Sequence, residues 1–160
     1  MALEEKFKEA AENEFYSTAY HKALRERRLV GSKCKKCGAI FVPPKPICSK
    51  CQGSEMELIE MKGKGKLAAY TVIAVGAPLM VEEGFDRDHH YCSGVVELEE
   101  GPRVTSRILG VDVTKPEQIK IGTPVTVDYV EAAHNREVGA FLALPDGGEK
   151  ETFLAFRALP

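Results

Sequence analysis

Two cysteine pairs dominate the chemistry this chain can do. They are spaced Cys34-x2-Cys37-x10-Cys48-x2-Cys51 in a chain of 160 residues. Each pair lets two thiolates reach one ion from a tight knuckle, and four thiolates in a tetrahedron suit Zn²⁺. A reducing compartment disfavours disulfides, so the pairs read as metal ligands. A closed four-thiolate shell leaves no position for water, which makes the ion structural rather than catalytic. Gly38 and Gly53 follow the two knuckles and are expected to supply backbone freedom there. Iron fits the same ligands, as in a small electron carrier, and would colour the protein red.

The remaining reactive side chains are sparse. Cys92 stands alone in an apolar stretch and reads as a buried core thiol. His89 and His90, beside Asp86 and Asp88, have the types for an acid/base pair or a second metal site, but the run reads better as a solvated loop. His21 and His134 are isolated. There is no Gly-rich phosphate loop and no G-x-S-x-G elbow, so the chain by itself does not read as an enzyme.

The formal net charge of −2 conceals an asymmetry. Lys22, Arg25, Arg27, Arg28, Lys33, Lys35, Lys36, Lys45 and Lys50 are opposed in that window by Glu26 alone, giving +8 there and −10 elsewhere. Three uses fit such a window: a solvated face that offsets the −2 of a four-thiolate zinc, a phosphate site, or a nucleic-acid face. The third is weakened by the acidic total and the lack of Trp, although Tyr70, Tyr91 and Tyr129 are candidate stacking residues.

The elements that must position these residues follow from periodicity. Residues 2–29 read as helix, with Leu3, Phe7, Ala11 and Phe15 at four-residue spacing. Ser17 or Thr18 is the expected cap of a second short helix running to about Arg28. Pro43, Pro44 and Pro46 exclude helix from the cysteine region. Strands are expected at 67–75, 91–98, 103–109, 123–130, 140–144 and 152–156. A short helix over 113–120 is expected to be capped by Thr114, with Pro116 in its first turn. Gly63 and Gly65 fit a bend where the first strand curls. Ala77 to His90 reads as a long loop. About five strands with a helix between the third and fourth is the layout of an OB-fold barrel. The fold class is therefore mostly β with N-terminal α-helices, divided into a helical segment 1–29, a zinc ribbon 30–57 and an OB barrel 58–160.

Several segments together resemble one family. They are Tyr20-x3-Leu24-x4-Leu29-Val30, Cys34-Lys-Lys-Cys37-Gly38, Phe41-Val-Pro-Pro-Lys45, Cys48-x2-Cys51, Gly63-Lys-Gly65 with Tyr70-Thr71-Val72, and Val96-Glu-Leu-Glu-Glu-Gly101. The chain is similar, from about Tyr16 onward, to the zinc-ribbon/OB-fold accessory proteins found beside thiolase-like acyl-CoA enzymes. The resemblance implies a rubredoxin-like ribbon, an OB barrel, N-terminal helices that dock on a thiolase-like catalytic subunit in a hetero-oligomer, and CoA or acyl-CoA as a shared ligand. The catalytic residues would belong to the partner. It implies Lys36, Lys45, Lys62 and Lys64 as CoA- or phosphate-binding residues. Lys45 departs from the family's usual Arg, which keeps the charge but loses the bidentate fork. Met61 stands where a Trp is common.

The first ten residues lack an apolar core, and no apolar run approaches the roughly 18 residues of a membrane span. A cytoplasmic location is expected, with no membrane contact. The competing function is a single-stranded nucleic-acid-binding zinc-ribbon/OB protein.

Overall fold

The computed structural model describes residues 15–133 and 150–160. The expected helix over 2–14 and the expected strand at 140–144 lie outside these residues. The chain forms two compact units. The first runs to Gly63 and takes in the turn Leu98–Val104; the second comprises Lys64–Glu97 and Thr105–Pro160.

In the first unit, helix α1 spans Ser17–Arg25 and buries Ala23 and Leu24. It is shorter than expected and is capped differently. Tyr16 occupies the N-cap in extended conformation without a side-chain cap bond, and Ser17 and Thr18 already lie inside the helix. The chain leaves α1 through Arg27 at φ 56°. Among the described residues α1 is the one α-helix before the sheet.

Three strands follow: β1 (Val30–Cys34), β2 (Ile40–Phe41) and β3 (Met56–Glu60). They form an antiparallel sheet in the order β2-β1-β3. Cys34 pairs with Met56 at one end and Val30 with Glu60 at the other. Gly31 lies where a Cβ would stand 2.7 Å from the Phe41 carbonyl oxygen and 2.9 Å from Val42, so β1 admits no side chain there.

The second unit is a closed barrel of β4 (Lys64–Ile73), β5 (Tyr91–Leu98), β6 (Arg103–Leu109), β7 (Pro124–Ala133) and β8 (Lys150–Ala158), in the order β4-β5-β6-β8-β7. β4 pairs antiparallel with β7, with Lys64 opposite Thr126, which closes the ring. β6 and β8 run parallel, with Ile108 opposite Phe156. Closure leaves no unpaired edge. Leu67, Val96, Ile108, Val125 and Phe156, one from each strand, are buried and form the core. Burial alternates along β5, placing Cys92, Gly94, Val96 and Leu98 inward, as period two requires. Cys92 is a buried thiol.

Two expectations about connections are corrected. Thr114 is not a cap: its N–H and hydroxyl both donate to Asp112 Oδ1, and a single 3-10 turn spans Pro116–Gln118. The stretch Ala77 to His90 is not all loop, because helix α2 occupies Pro78–Glu82. Among the described residues no helix is long and apolar enough to cross a membrane.

Gly94 is one of the places where the barrel strands are tightly drawn. A Cβ there would meet the Ala69 carbonyl oxygen and Ile108 at 2.8 Å and Leu67 at 2.9 Å. Backbone must shift to admit it, and overpacking of this kind costs about 1–3 kcal/mol. Gly94→Ala is therefore expected to lower the urea midpoint of unfolding by an amount corresponding to about 2 kcal/mol. An unchanged midpoint would show that the strands can part there freely.

Candidate metal centre and basic residues

The two knuckles are built alike. The Gly38 N–H donates to the Cys34 carbonyl at 2.8 Å, and the Gln52 N–H donates to the Cys48 carbonyl at 2.9 Å. Both residues are left-handed, Gly38 at φ 74° and Gln52 at φ 61°. Gln52, not Gly53, therefore takes the strained position in the second knuckle. Gly53 serves by its size: a Cβ there would lie 3.3 Å from Cys51 Sγ and 4.0 Å from Cys34 Sγ. Its carbonyl accepts the Cys48 N–H at 2.9 Å, while the Ala39 carbonyl accepts that of Cys34.

These turns bring all four sulfurs within 4.8 Å of one another. Cys34 and Cys51 stand 3.5 Å apart, as do Cys37 and Cys48. A tetrahedron with Zn–S near 2.3 Å has edges of about 3.8 Å, so the donor set fits one zinc ion. Cys34 and Cys48 are wholly buried, and Cys37 is exposed. This is the one group among the described residues with the makings of a metal site.

Two of the sulfurs, Cys34 and Cys48, are biased toward the thiolate that a metal needs, and Cys51 is biased away from it. Backbone N–H groups of Cys37 and Lys36 favour the Cys34 thiolate and pull its pKa down. Burial opposes ionisation of Cys48, but the Cys51 and Lys50 N–H groups and neighbouring thiols bring it down to about 6. Cys51 is favoured by the Gly53 N–H, yet hydrogen bonding to Cys34, burial and the other thiols push it up to about 11. An ion replaces these shared protons, so its binding releases protons and weakens as pH falls.

The other candidate residues separate. Ser32, fully buried on β1, accepts the Lys45 N–H at 2.9 Å and so pins the Pro43-Pro44-Lys45 segment. The Lys45 ammonium donates to Ser49 Oγ at 3.1 Å and stands 5.0 Å from the Phe41 ring centroid. Lys36 is exposed on the first knuckle. Lys62 is exposed, and its N–H donates to Glu100 Oε1 at 2.8 Å. Lys64 opens β4 in the second unit. Within the basic window, Arg28 is occupied by Glu60 and Glu26, at 3.3 and 3.4 Å. Two of the three candidate stacking tyrosines are engaged elsewhere. The Tyr70 hydroxyl donates to the Pro116 carbonyl at 2.8 Å, and Tyr91 packs on Phe85 at 5.3 Å. Asp86 builds its own turn, accepting the N–H groups of Asp88 and His89 at 2.9 Å and facing the His89 ring at 3.0 Å. The Asp88 N–H and the His89 ring hold its carboxyl below the usual range. Sequence reasoning missed Ser32 and Gln52, since nothing in a serine or glutamine announces burial or a left-handed turn.

Fold and site define a zinc-ribbon/OB-fold protein. Residues 21–57 match the family described as the ChsH2 rubredoxin-like zinc ribbon domain, and residues 58–130 match the ChsH2 C-terminal OB-fold domain. A DUF35 domain-containing scaffold protein of Methanocaldococcus jannaschii is 40% identical over 104 residues, 64% of this chain and 68% of that one. The benzoylsuccinyl-CoA thiolase subunit BbsA of Thauera aromatica is 29% identical over 82 residues, 51% of this chain and 52% of that one. A solved structure described as the Ltp2-ChsH2(DUF35) aldolase superposes with a TM-score of 0.64 at 28% identity, over 88% of this chain and 91% of the other. The chain belongs to the ChsH2/DUF35 family of zinc-ribbon and OB-fold scaffold proteins.

Zinc analysis of the purified chain is expected to give one ion per chain, retained at neutral pH and released as acid protonates the thiolates. Cys48→Ser is expected to lose the ion and to collapse amide dispersion across residues 30–60. Full dispersion without zinc would show that the ion is dispensable to the fold.

Proposed function

We propose that this chain is a non-catalytic accessory subunit of a thiolase-type acyl-CoA complex. The complex carries out CoA-dependent carbon–carbon cleavage or the reverse Claisen condensation. The observation that supports this most is the likeness, over 88% of the chain, to the protein solved as the Ltp2-ChsH2(DUF35) aldolase. The similarity to BbsA supports a finer assignment, the small subunit of the thiolase that cleaves benzoylsuccinyl-CoA in anaerobic toluene degradation.

Each part of the chain has a role in this assignment. The closed cysteine site holds structural zinc and gives the ribbon its shape. The segment 1–29, including α1, docks on the catalytic subunit. Lys36, Lys45, Lys62 and Lys64 meet the phosphates of CoA, a dense anion that ammonium groups bind as point charges. Lys45 is the best prepared, because Ser49 and Phe41 hold its ammonium in place. Catalytic groups come from the partner, and the complex works in the cytoplasm.

Native mass determination after mild purification from the source cell tests the assembly. The expected result is a heavy complex containing a thiolase-like chain, whose catalytic subunit alone is insoluble or poorly active. A lone 17.6 kDa zinc protein would overturn the assignment. Salt-sensitive binding of that lone chain to single-stranded DNA or RNA would put a nucleic-acid role in its place.

Lys45→Glu tests the CoA contact. It is expected to raise the KM for CoA in the complex by roughly tenfold, with kcat little changed, as loss of uniform ligand binding requires. An unaltered KM in an intact complex would remove Lys45 from the CoA site.

A further inference from the structure

A cleft of about 280 Å³ lies in the second unit, between α2 and strands β5, β6 and β8. Leu79 and Met80 line it from α2, Tyr91 from β5, and Phe153 and Leu154 from β8. An apolar cavity of about 150 Å³ is enough for benzene, so the space admits a ring or a short alkyl chain. Its charged wall is an ion pair. Arg107 and Glu83 meet at 2.7 Å, with side chains only 14% and 11% exposed. Two charges so far out of water need matched partners.

The two partners are rooted very differently. Arg107 is carried by β6, on the face opposite its buried Ser106 and Ile108, and pairs with Ala155 of β8. Its guanidinium carbon stands 5.0 Å from the Phe85 ring centroid, and one nitrogen is 3.5 Å from Met80 Sδ. Glu83 follows α2, a helix of five residues with no side-chain cap and no buried residue. Gly84, at φ 92°, comes directly after it. So short a helix has little stability of its own. The guanidinium is thus carried by a barrel strand, while the carboxylate that covers it is carried by a short helical segment that meets the barrel at Arg107 and, through Phe85, at Tyr91.

We propose that this cleft is a binding site for a small monocarboxylate with a compact apolar body, and that Glu83 is its internal stand-in. The planar guanidinium fork of Arg107 matches a carboxylate from either source. The ligand's carboxylate takes Glu83's place, its apolar body lies against Tyr91, Phe153 and Leu154 of the barrel strands, and α2 lifts with the released Glu83. The charge count in the cleft is unchanged by the exchange, so no ion is left unpaired. The inference stands on the barrel alone and is independent of the accessory-subunit assignment.

Benzoate and hexanoate titrated into the zinc-loaded full chain, followed by amide NMR, test it. Glu83→Gln removes the competing carboxylate and is expected to bind both acids about tenfold more tightly than the wild type, as removal of a competing closed state requires. Shifts should centre on residues 79–84, 91 and 107. Benzamide and hexanamide should not bind, and Arg107→Gln should bind none of the four. If Arg107→Gln does not fold, the acid-against-amide contrast in Glu83→Gln still decides. No saturable shift in Glu83→Gln up to the solubility of the acids, or equal binding of acids and amides, would overturn the proposal.

Discussion

Four sulfur atoms drawn to one point are the constraint on which the first unit depends. The buried apolar side chains around it are few: Ala23, Leu24, Leu29, Val30, Val42, Met61 and, from the turn, Leu98 and Val104. One of its three strands has only two residues. A segment of this size rarely stabilises itself by apolar burial alone, and a bound metal is the usual substitute. Everything local serves that point. The left-handed Gly38 and Gln52 turn the chain back at each knuckle. The missing side chain of Gly53 lets backbone approach the sulfurs. Ser32 ties the proline segment to β1, and that segment leads into the second knuckle.

The barrel depends on different physics. Its core takes one large or branched side chain from each strand, and its backbone polar groups are satisfied by closure. Glycine marks the places where strands come closest, at Gly94 and at Gly65, where a Cβ would collide with the Glu97 carbonyl. One unit is thus organised by a point and the other by a ring.

The legible parts of the sequence were those whose chemistry is local. The cysteine spacing is itself the coordination geometry, so the metal site could be read directly. β5 and β6 begin and end where alternation placed them, because each has one buried face. β4 starts at Lys64, three residues before the expected Leu67, because Gly63 and Gly65 look like a bend. Gly63 is one, at φ 73°, while Gly65 belongs to the strand for reasons of space. The first-turn serine and threonine of α1 suggested a cap, but tertiary burial of Ala23 and Leu24 sets the helix and Tyr16 begins it. α2 was hidden because proline, glycine and acidic residues imitate a loop. It is held by Arg107, which is distant in sequence.

The ring also has a temporal consequence. The two pairings that hold β8 join it to β7, its neighbour in the chain, and to β6, across the whole of β7 and the connections around it. β4, the first barrel strand synthesised, finds one of its partners only when β7 has been made. During translation the ribosome therefore exposes a half-formed sheet with open edges, since contacts so distant in sequence form late. The ribbon, whose ligands are local, can assemble much earlier. Nascent chains of this protein should pass through a stage with a finished zinc ribbon and an adhesive, unclosed barrel, when chaperones would matter most to their yield.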